Sequence, residues 1–459
     1  MDNTKRIEGL LLPEEINIAD RTLKRALELG ASSARLSLSK SVSDIFGTLN
    51  GQLDKVSHCL DRAIVIALFV DGKYGSFSIN RLDENSLEDF LKKAIDTVKM
   101  LAEDKFRTLP EISRKATDAI SGKELDTFDD TYCEITSELR LQQVLAASIF
   151  NRTDNLPKGV KLISEEGEYS NSVSDFLLID SDGLRCRQMD TSFEYSVEAT
   201  IEDGKGNKYS GFKWQASPKF SPNILNCGER AVFNAIEQIN PKSCKGGKKN
   251  IIIQNDVATK VVLPILNALN ATGLDQKNSF LLDSLGTKIF GEGLTIIDKS
   301  REKGVFGSRL FDYEGVSTKE TVIIDKGIVH QYFVNTYMAN KTGLSPTVDD
   351  FSRPTVMPYV PKEYSGDIGV DDLMEICGNG ILITGFNGGN SNSSTGNFSY
   401  GIKGFVFENG KKSYPVKEML MTGDFITLWN NLIAAGNDVR KDISAQIPSL
   451  AFKDVEISA

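Results

Sequence analysis

With 459 residues, 40% of them hydrophobic and 25% charged, the chain is long enough to bury more than one core and ordinary in charge for a globular protein. Its formal net charge of −10 and pI near 5.1 disfavour a phosphate-backbone partner, because non-specific nucleic-acid binding needs a positive surface that releases counterions. The most apolar run, Ala63 to Val70, suits a buried strand and is far too short to span a bilayer.

Along the chain, Met1 to Arg6 leads into Leu10-Leu11-Leu12-Pro13, and no apolar signal core of useful length follows. Together with six scattered cysteines and no C-x-x-C pair, this predicts a cytoplasmic protein with reduced thiols. A first helix is expected from about Pro13 to Leu29, ended by Gly30. Strand-like runs follow at 33–39, 43–50, 54–60, 63–70 and 74–79, with Asn50-Gly51 and Asp71-Gly72 as hairpin turns of an antiparallel meander. Apolar positions at helical spacing mark a helix over 86–102. Residues 104–132 are polar and weakly periodic, and read as a connector. A helix over 137–150 precedes strands at 161–168, 172–180, 184–189, 193–201 and 208–214, then a helix over 224–239.

The segment 241–250 reads as a basic, solvated linker carrying Lys242, Lys245, Lys248 and Lys249. A strand at 251–254 and a helical stretch at 256–269 open the last part, which then turns to short strands and glycine turns, Asp325-Lys326-Gly327 and Glu408-Asn409-Gly410 among them. Strands and helices do not alternate regularly, so the fold class is α+β rather than a Rossmann or TIM architecture. Three domains are expected, over 1–105, 106–240 and 241–459.

Chemistry is sparse. His58 and His330 are the only histidines, neither followed by Glu nor spaced one helical turn from a second His, whereas a catalytic zinc usually takes three protein ligands. His58 sits in a strand-like stretch, and His330 in the alternating run Ile328 to Val334, a half-buried strand; both read as structural. No G-x-S-x-G elbow is present. The segment from Gly378 to Gly404 is rich in Gly, Asn, Ser and Thr but lacks Gly-Lys-[Ser/Thr] and a G-x-G-x-x-G opening a helix, so it is no phosphate cradle. Two readings stay open for it. One is a long loop between strands, with positive φ at Gly388, Gly389 and Gly396. The other is a mobile loop touching an extended peptide or a partner chain through Asn387, Gly388, Gly389, Asn390, Thr395, Gly396, Phe398 and Tyr400.

Several strings carry a family resemblance. Ser279 to Gly286 (SFLLDSLG), Phe311 to Glu320 (FDYEGVSTKE), Thr395 to Val416 (TGNFSYGIKGFVFENGKKSYPV) and Gly436-Asn437-Asp438 resemble the PmbA (TldE) branch of the TldD/PmbA family, once labelled modulator of DNA gyrase. The N-terminal layout of helix, meander and helix is similar too. The resemblance implies an N-terminal α/β part and a mostly antiparallel β C-terminal domain. TldD subunits of this family hold zinc with His-Glu-x-x-x-His on a helix and a cysteine near the C-terminus; positions about a helical turn apart share one face. Aligned here, the two histidine positions fall at Pro264 and Leu269 and the glutamate at Ile265. The last cysteine is Cys377, so the C-terminal one is missing.

By resemblance, then, this chain binds no metal and is not catalytic alone. Zinc is expected on a TldD-like metalloprotease subunit, with which it would form a heterodimer enclosing a chamber for unfolded or extended peptides. No nucleic acid and no membrane are expected as partners, and a homodimer is expected when the chain is expressed alone. Two other readings stand beside this one: a homodimeric peptide-binding or regulatory protein, and a self-sufficient hydrolase using Asp or Glu with His330 around a metal.

Overall fold

The computed structural model describes residues 9–150, 156–221, 226–364 and 366–458. The terminal stretch Met1 to Arg6 and the start of the helix expected from Ile224 lie outside the described residues. The chain divides into two compact units, Met1–Ala235 with Arg301–Thr318 and Asn335–Asp349, and Ile236–Ser300 with Lys319–Val334 and Asp350–Ala459.

In the first unit, α1 (Pro13–Glu28) starts at a proline, whose missing N–H is no loss at that position, and Glu15 accepts the Leu12 N–H at 2.9 Å. Strands β1 (Ser33–Leu49), β2 (Gln52–Val70) and β3 (Lys73–Ile79) precede α2 (Glu84–Lys99), whose N-terminus Asp83 caps by accepting the Ser86 N–H at 2.9 Å. After α3 (Ser137–Ala147) come β4 (Lys161–Asp180), β5 (Arg185–Glu202), β6 (Lys208–Ser217) and α4 (Cys227–Ile236). The six strands form one antiparallel sheet in the order β3-β2-β1-β4-β5-β6. Its first core joins Leu36, Leu38, Ile64, Ile66 and Leu68 of the sheet to Ala19 and Ala26 of α1 and Leu87, Leu91 and Ile95 of α2.

The sequence predicts twice as many strands across β1, β2, β4 and β5 as the sheet contains. The polar breaks are continuous strand because they are paired: Ser41, in the expected gap, faces Asp61 on one side and Ser174 on the other. The hairpin turns hold, with Asn50 and Gly51 at φ 51° and 73° and Asp71 and Gly72 at 50° and 73°. β3 pairs with β2 only over 64–70, so from Gln52 to Ala63 β2 is an outer edge of the sheet among the described residues. The connector 104–132 carries no long element, yet it is packed rather than free. Arg187 and Met189 donate backbone N–H bonds to Ala119 and Gly122, which buries Ala116, Ala119 and Leu125 against Leu178 and Cys186.

The second unit contains β7 (Gly247–Ile253), α5 (Thr259–Ala268), α6 (Ala271–Asp275), β8 (Ile296–Asp298), β9 (Thr321–Asp325) and β10 (Ile328–Val329). The chain then returns to the first unit for α7 (Thr336–Thr342). β11 (Pro354–Val356), α8 (Val370–Cys377), β12 (Gly380–Ser391), β13 (Asn397–Glu408), β14 (Lys411–Asp424), α9 (Phe425–Asn430), β15 (Leu432–Ala435) and β16 (Leu450–Ser458) complete the second unit. A small sheet has the order β10-β9-β8-β11. The larger one, β14-β13-β12-β7-β16-β15, closes on itself because β14 also pairs with β16, giving a barrel-like ring with β15 as a spur. Its pairings are antiparallel except β7 with β12. The α+β class and the largely antiparallel C-terminal part agree with expectation.

Two local expectations fail. β7 begins at Gly247, so Lys248 and Lys249 belong to a strand and face Glu456 and Val455 across the ladder rather than forming a free linker. The run Ile328 to Val334 is strand only at 328–329; His330 follows it, exposed, with its backbone N–H on the Ile323 carbonyl at 2.8 Å.

Candidate functional site

The site is built on α5, where the resemblance puts the metal positions. This helix is apolar on most of its surface, and Val261, Val262, Ile265, Leu266 and Leu269 are completely buried. Pro264 lies inside it, leaves the Lys260 carbonyl without its helical donor and crowds it, a defect that costs about 3 kcal/mol in a free helix. Packing offsets that defect from two sides. The buried Trp429 of α9 donates its indole N–H to the Val261 carbonyl at 3.1 Å and stacks edge-on against Phe452 of β16, ring centres 5.2 Å apart. At the C-terminal end the Ser279 hydroxyl donates to the Ala268 carbonyl at 2.6 Å, satisfying one of the acceptors a helix end leaves free.

The Gly-rich segment approaches the same helix. Its larger part is a hairpin rather than a loop: β12 runs to Ser391, β13 starts at Asn397, and only 392–396 turn. The periodicity was hidden because shifts of register near Gly385 and Gly388 break the alternation of β12. Gly388, Gly389 and Gly396 have φ of 140°, 90° and 75°, as the sequence required. At Gly389 a Cβ would come within 2.0 Å of the Ser399 carbonyl oxygen, and at Gly396 within 2.9 Å of the Phe280 ring.

The eight residues singled out in this segment fall into two groups. Gly396, Phe398 and Tyr400 are buried in a run of aromatic contacts: Phe386 to Tyr400 at 5.4 Å, Tyr400 to Phe398 at 5.3 Å, Phe398 to Phe425 at 5.0 Å and Phe425 to Phe280 at 5.8 Å. Lys260 of α5 places its ammonium 4.7 Å from the Tyr400 ring centre, and burial pushes the Tyr400 phenol above its usual range, so it stays neutral. Asn387, Gly388, Gly389, Asn390 and Thr395 are exposed. β7 pairs with β12 only over Ile381–Ile383, so among the described residues no strand runs along the other side of β12 from Gly385 to Ser391. The hairpin therefore presents main-chain donors and acceptors on a rigid, aromatic-anchored base.

The strings behind the resemblance are joined here by packing that spacing alone did not reveal. Phe280 donates its backbone N–H to Ser393 at 2.9 Å, and Phe425 donates to Gly396 at 3.0 Å. Further along, Asn437 accepts the Ile368 N–H at 2.8 Å, and Asp438 takes the Ser449 N–H and hydroxyl at 2.8 and 2.7 Å. In the first unit, Asp312 accepts the N–H groups of Glu314 and Val316, each at 2.9 Å, and that of Asp349 at 3.0 Å. These polar residues hold turns; sequence reading offered no signal for that.

The residues present do not fit a metal on α5. Pro264, Ile265 and Leu269 offer no donor atom, and the latter two are sealed in the core. Among the described residues no three His, Cys, Asp or Glu side chains gather in a group that could hold an ion. Cys377, at the end of α8, is partly buried, which pushes its thiol up to about 11 and keeps it protonated at neutral pH. His58 is exposed on β2, with Nδ1 2.8 Å from Asp44. None of the described helices is long and apolar enough to cross a membrane.

Residues 129–239 match the PmbA/TldA metallopeptidase central domain and residues 246–459 the PmbA/TldA metallopeptidase C-terminal domain. A metalloprotease PmbA homolog of Buchnera aphidicola is 24% identical, and the match covers 96% of each chain. A solved structure from Bacteroides thetaiotaomicron, described as a modulator of DNA gyrase, is 33% identical with a TM-score of 0.91, over 98% of this chain and 100% of that one. TldE from Thermococcus kodakarensis shares the fold, with a TM-score of 0.80 over 96% of this chain and all of that one at 17% identity.

Proposed function

The chain belongs to the PmbA/TldD metallopeptidase family, and from that premise we propose that it is the non-catalytic, TldE-like subunit of a two-chain zinc metallopeptidase acting on unfolded peptides. The observation that carries this reading is α5. Where a metal-binding subunit of the family needs two imidazoles and a carboxylate on one helical face, this helix has Pro264, Leu269 and Ile265, and the surrounding core closes over the latter two. A hydrated ion does not enter such packing without leaving buried polar groups unpaired.

The role left to the chain is recognition. The open side of β12 over Gly385–Ser391 suits an extended peptide, which adds to a sheet edge through main-chain hydrogen bonds with little demand on sequence. Zinc, the activated water and the cleavage step belong to the TldD-like partner. The protein is expected to be cytoplasmic, where unfolded chains are available as substrates.

The test is chelator-sensitive cleavage of an unstructured peptide by the pure chain and by the chain mixed with its cognate TldD-like protein. Activity is expected only in the mixture. Chelator-sensitive activity of the pure chain, with stoichiometric metal held by its own residues, would overturn the assignment.

A further inference from the structure

From the Asn387-Gly388 step of β12 we infer a site of covalent self-modification, at which the Asn387 carboxamide is lost as ammonia and replaced by an acid. The site follows from sequence and backbone; only its effect on peptide capture rests on the reading of the β12 edge given above.

The chain has four Asn-Gly pairs, beginning at Asn50, Asn379, Asn387 and Asn409. In such a pair the glycine nitrogen, with no side chain beside it, can turn toward the asparagine carboxamide. Three of the four are held. Asn50 Oδ1 accepts the Glu165 N–H at 2.9 Å, and Asn379 Oδ1 accepts the Asn409 N–H at 3.0 Å. At the third, Gly410 donates its N–H to the Gly378 carbonyl at 2.7 Å, so the nitrogen that would attack Asn409 is engaged.

Asn387 differs. The ladder with β13 pairs Phe386 with Ile402 and Gly388 with Gly401, which makes Asn387 the extra residue of a bulge, outside the pairing. Its side chain is exposed and has no hydrogen-bond partner among the described residues. The carboxamide lies against Gly401, where a Cβ would come within 2.3 Å of Asn387 Oδ1. Gly388 has φ of 140°, a conformation that residues with side chains rarely adopt.

The chemistry needs only water. The Gly388 nitrogen attacks Cγ of Asn387, the Cγ–Nδ2 bond breaks, and ammonia leaves with the proton from that nitrogen. Water then opens the cyclic imide at either carbonyl. One opening leaves aspartate; the other leaves isoaspartate, in which the main chain runs through Cγ. Both products put a carboxylate on the open side of β12, and a strand lying alongside would have to strip its water. Isoaspartate also adds a main-chain carbon before Gly388, so the donors and acceptors from Gly388 to Ser391 lose the spacing of a strand. The change runs one way, and capture of extended peptides declines with the age of the molecule.

The experiment ages the full-length chain in mildly alkaline buffer, which favours the attacking nitrogen, and follows all four asparagines by peptide mapping and mass spectrometry. Asn387 is expected to convert about fivefold or more faster than Asn50, Asn379 and Asn409, the rate effect of one hydrogen bond that must break first. In concentrated urea, where the fold holds none of them, the four rates should converge. Asn387→Gln, whose longer side chain disfavours the five-membered ring, should abolish conversion at that position and leave the other three rates unchanged. An Asn387 that only keeps pace with the other three would overturn the site. The same lead in urea would overturn it too, by tracing the lead to neighbouring residues rather than to the bulge. For the consequence, the aged chain is mixed with its TldD-like partner and an unstructured peptide. Cleavage at limiting peptide should fall in proportion to conversion at Asn387, and Asn387→Asp should start below wild type. Cleavage unmoved by conversion would overturn the loss of capture. A fresh mixture that cleaves nothing would count against the subunit reading, whereas the modification is judged by mass alone.

Discussion

Gly396 shows how much one residue of the hairpin turn decides. Its φ of 75° disfavours any side chain, and a methyl group there would press on the Phe280 ring. Gly396→Ala is expected to destabilise the protein by about 1–3 kcal/mol, read as a lower urea midpoint with an unchanged slope. Trp429→Phe keeps most of the packing but removes the indole N–H bond to the Val261 carbonyl, and should cost about 1 kcal/mol in the same measurement. Glu15 adds a pH dependence. Burial on its own would raise the carboxyl, but the Leu12 N–H, Arg62 at 2.7 Å and Lys40 at 3.0 Å outweigh it, so the folded-state pKa lies below the usual carboxylate value. A depressed carboxylate stabilises the fold above its unfolded pKa, and that contribution is lost as pH falls through the folded one. Glu15→Gln should therefore reduce stability at pH 7 and flatten the fall in melting temperature below about pH 4.5. The turn glycines were readable from sequence because φ > 0 has a residue signature. The buried Tyr400 and Phe398 were not, since an aromatic residue in a polar segment serves an exposed binding face equally well.

At the scale of elements, α5 was legible in place and composition, and its packing explains why its losses come together. Once the two imidazoles and the carboxylate are gone, the helix turns into core, and polar groups no longer fit there. Ile265→Glu is expected to cost about 3 kcal/mol or more and to bind no zinc, as measured by denaturation and metal analysis of the purified variant. The strands of the first unit were legible as short runs but not as strands of 17 to 20 residues, because Ser and Lys at 39–43 look like breaks until neighbours on both sides are counted. Pairing partners distant in sequence leave no local trace. β12 failed for a related reason: register shifts disguise the alternation, and glycine and asparagine suggest a loop even where the backbone is extended.

At the scale of the whole molecule, the family and the α+β class were accessible from motifs and patterning, whereas the assignment of segments to units was not. Residues 301–318 and 335–349 belong with the N-terminal half, although they lie between stretches of the second unit. Phe311 in the first of these segments packs with Leu178, Leu184 and Cys186 of the first sheet, and the backbone of Ser317 donates to Arg114 at 2.9 Å. A chain truncated after residue 240 therefore lacks part of its own core. It should unfold at a lower urea concentration and with a less cooperative transition than the same unit within the full-length protein.

The interleaving also sets a schedule for synthesis. Ribosomes release a nascent chain from its N-terminus at roughly 5–20 residues per second, and contiguous domains fold as they emerge. Here the first unit has most of its sheet by residue 217 but needs Asp349 before its last segment exists. During that interval of several seconds, the apolar patch awaiting Leu310 and Phe311 stays uncovered and the N-terminal half depends on chaperones or on speed. Slowing translation across residues 236 to 349 is therefore expected to lower the yield of folded protein without changing its final stability.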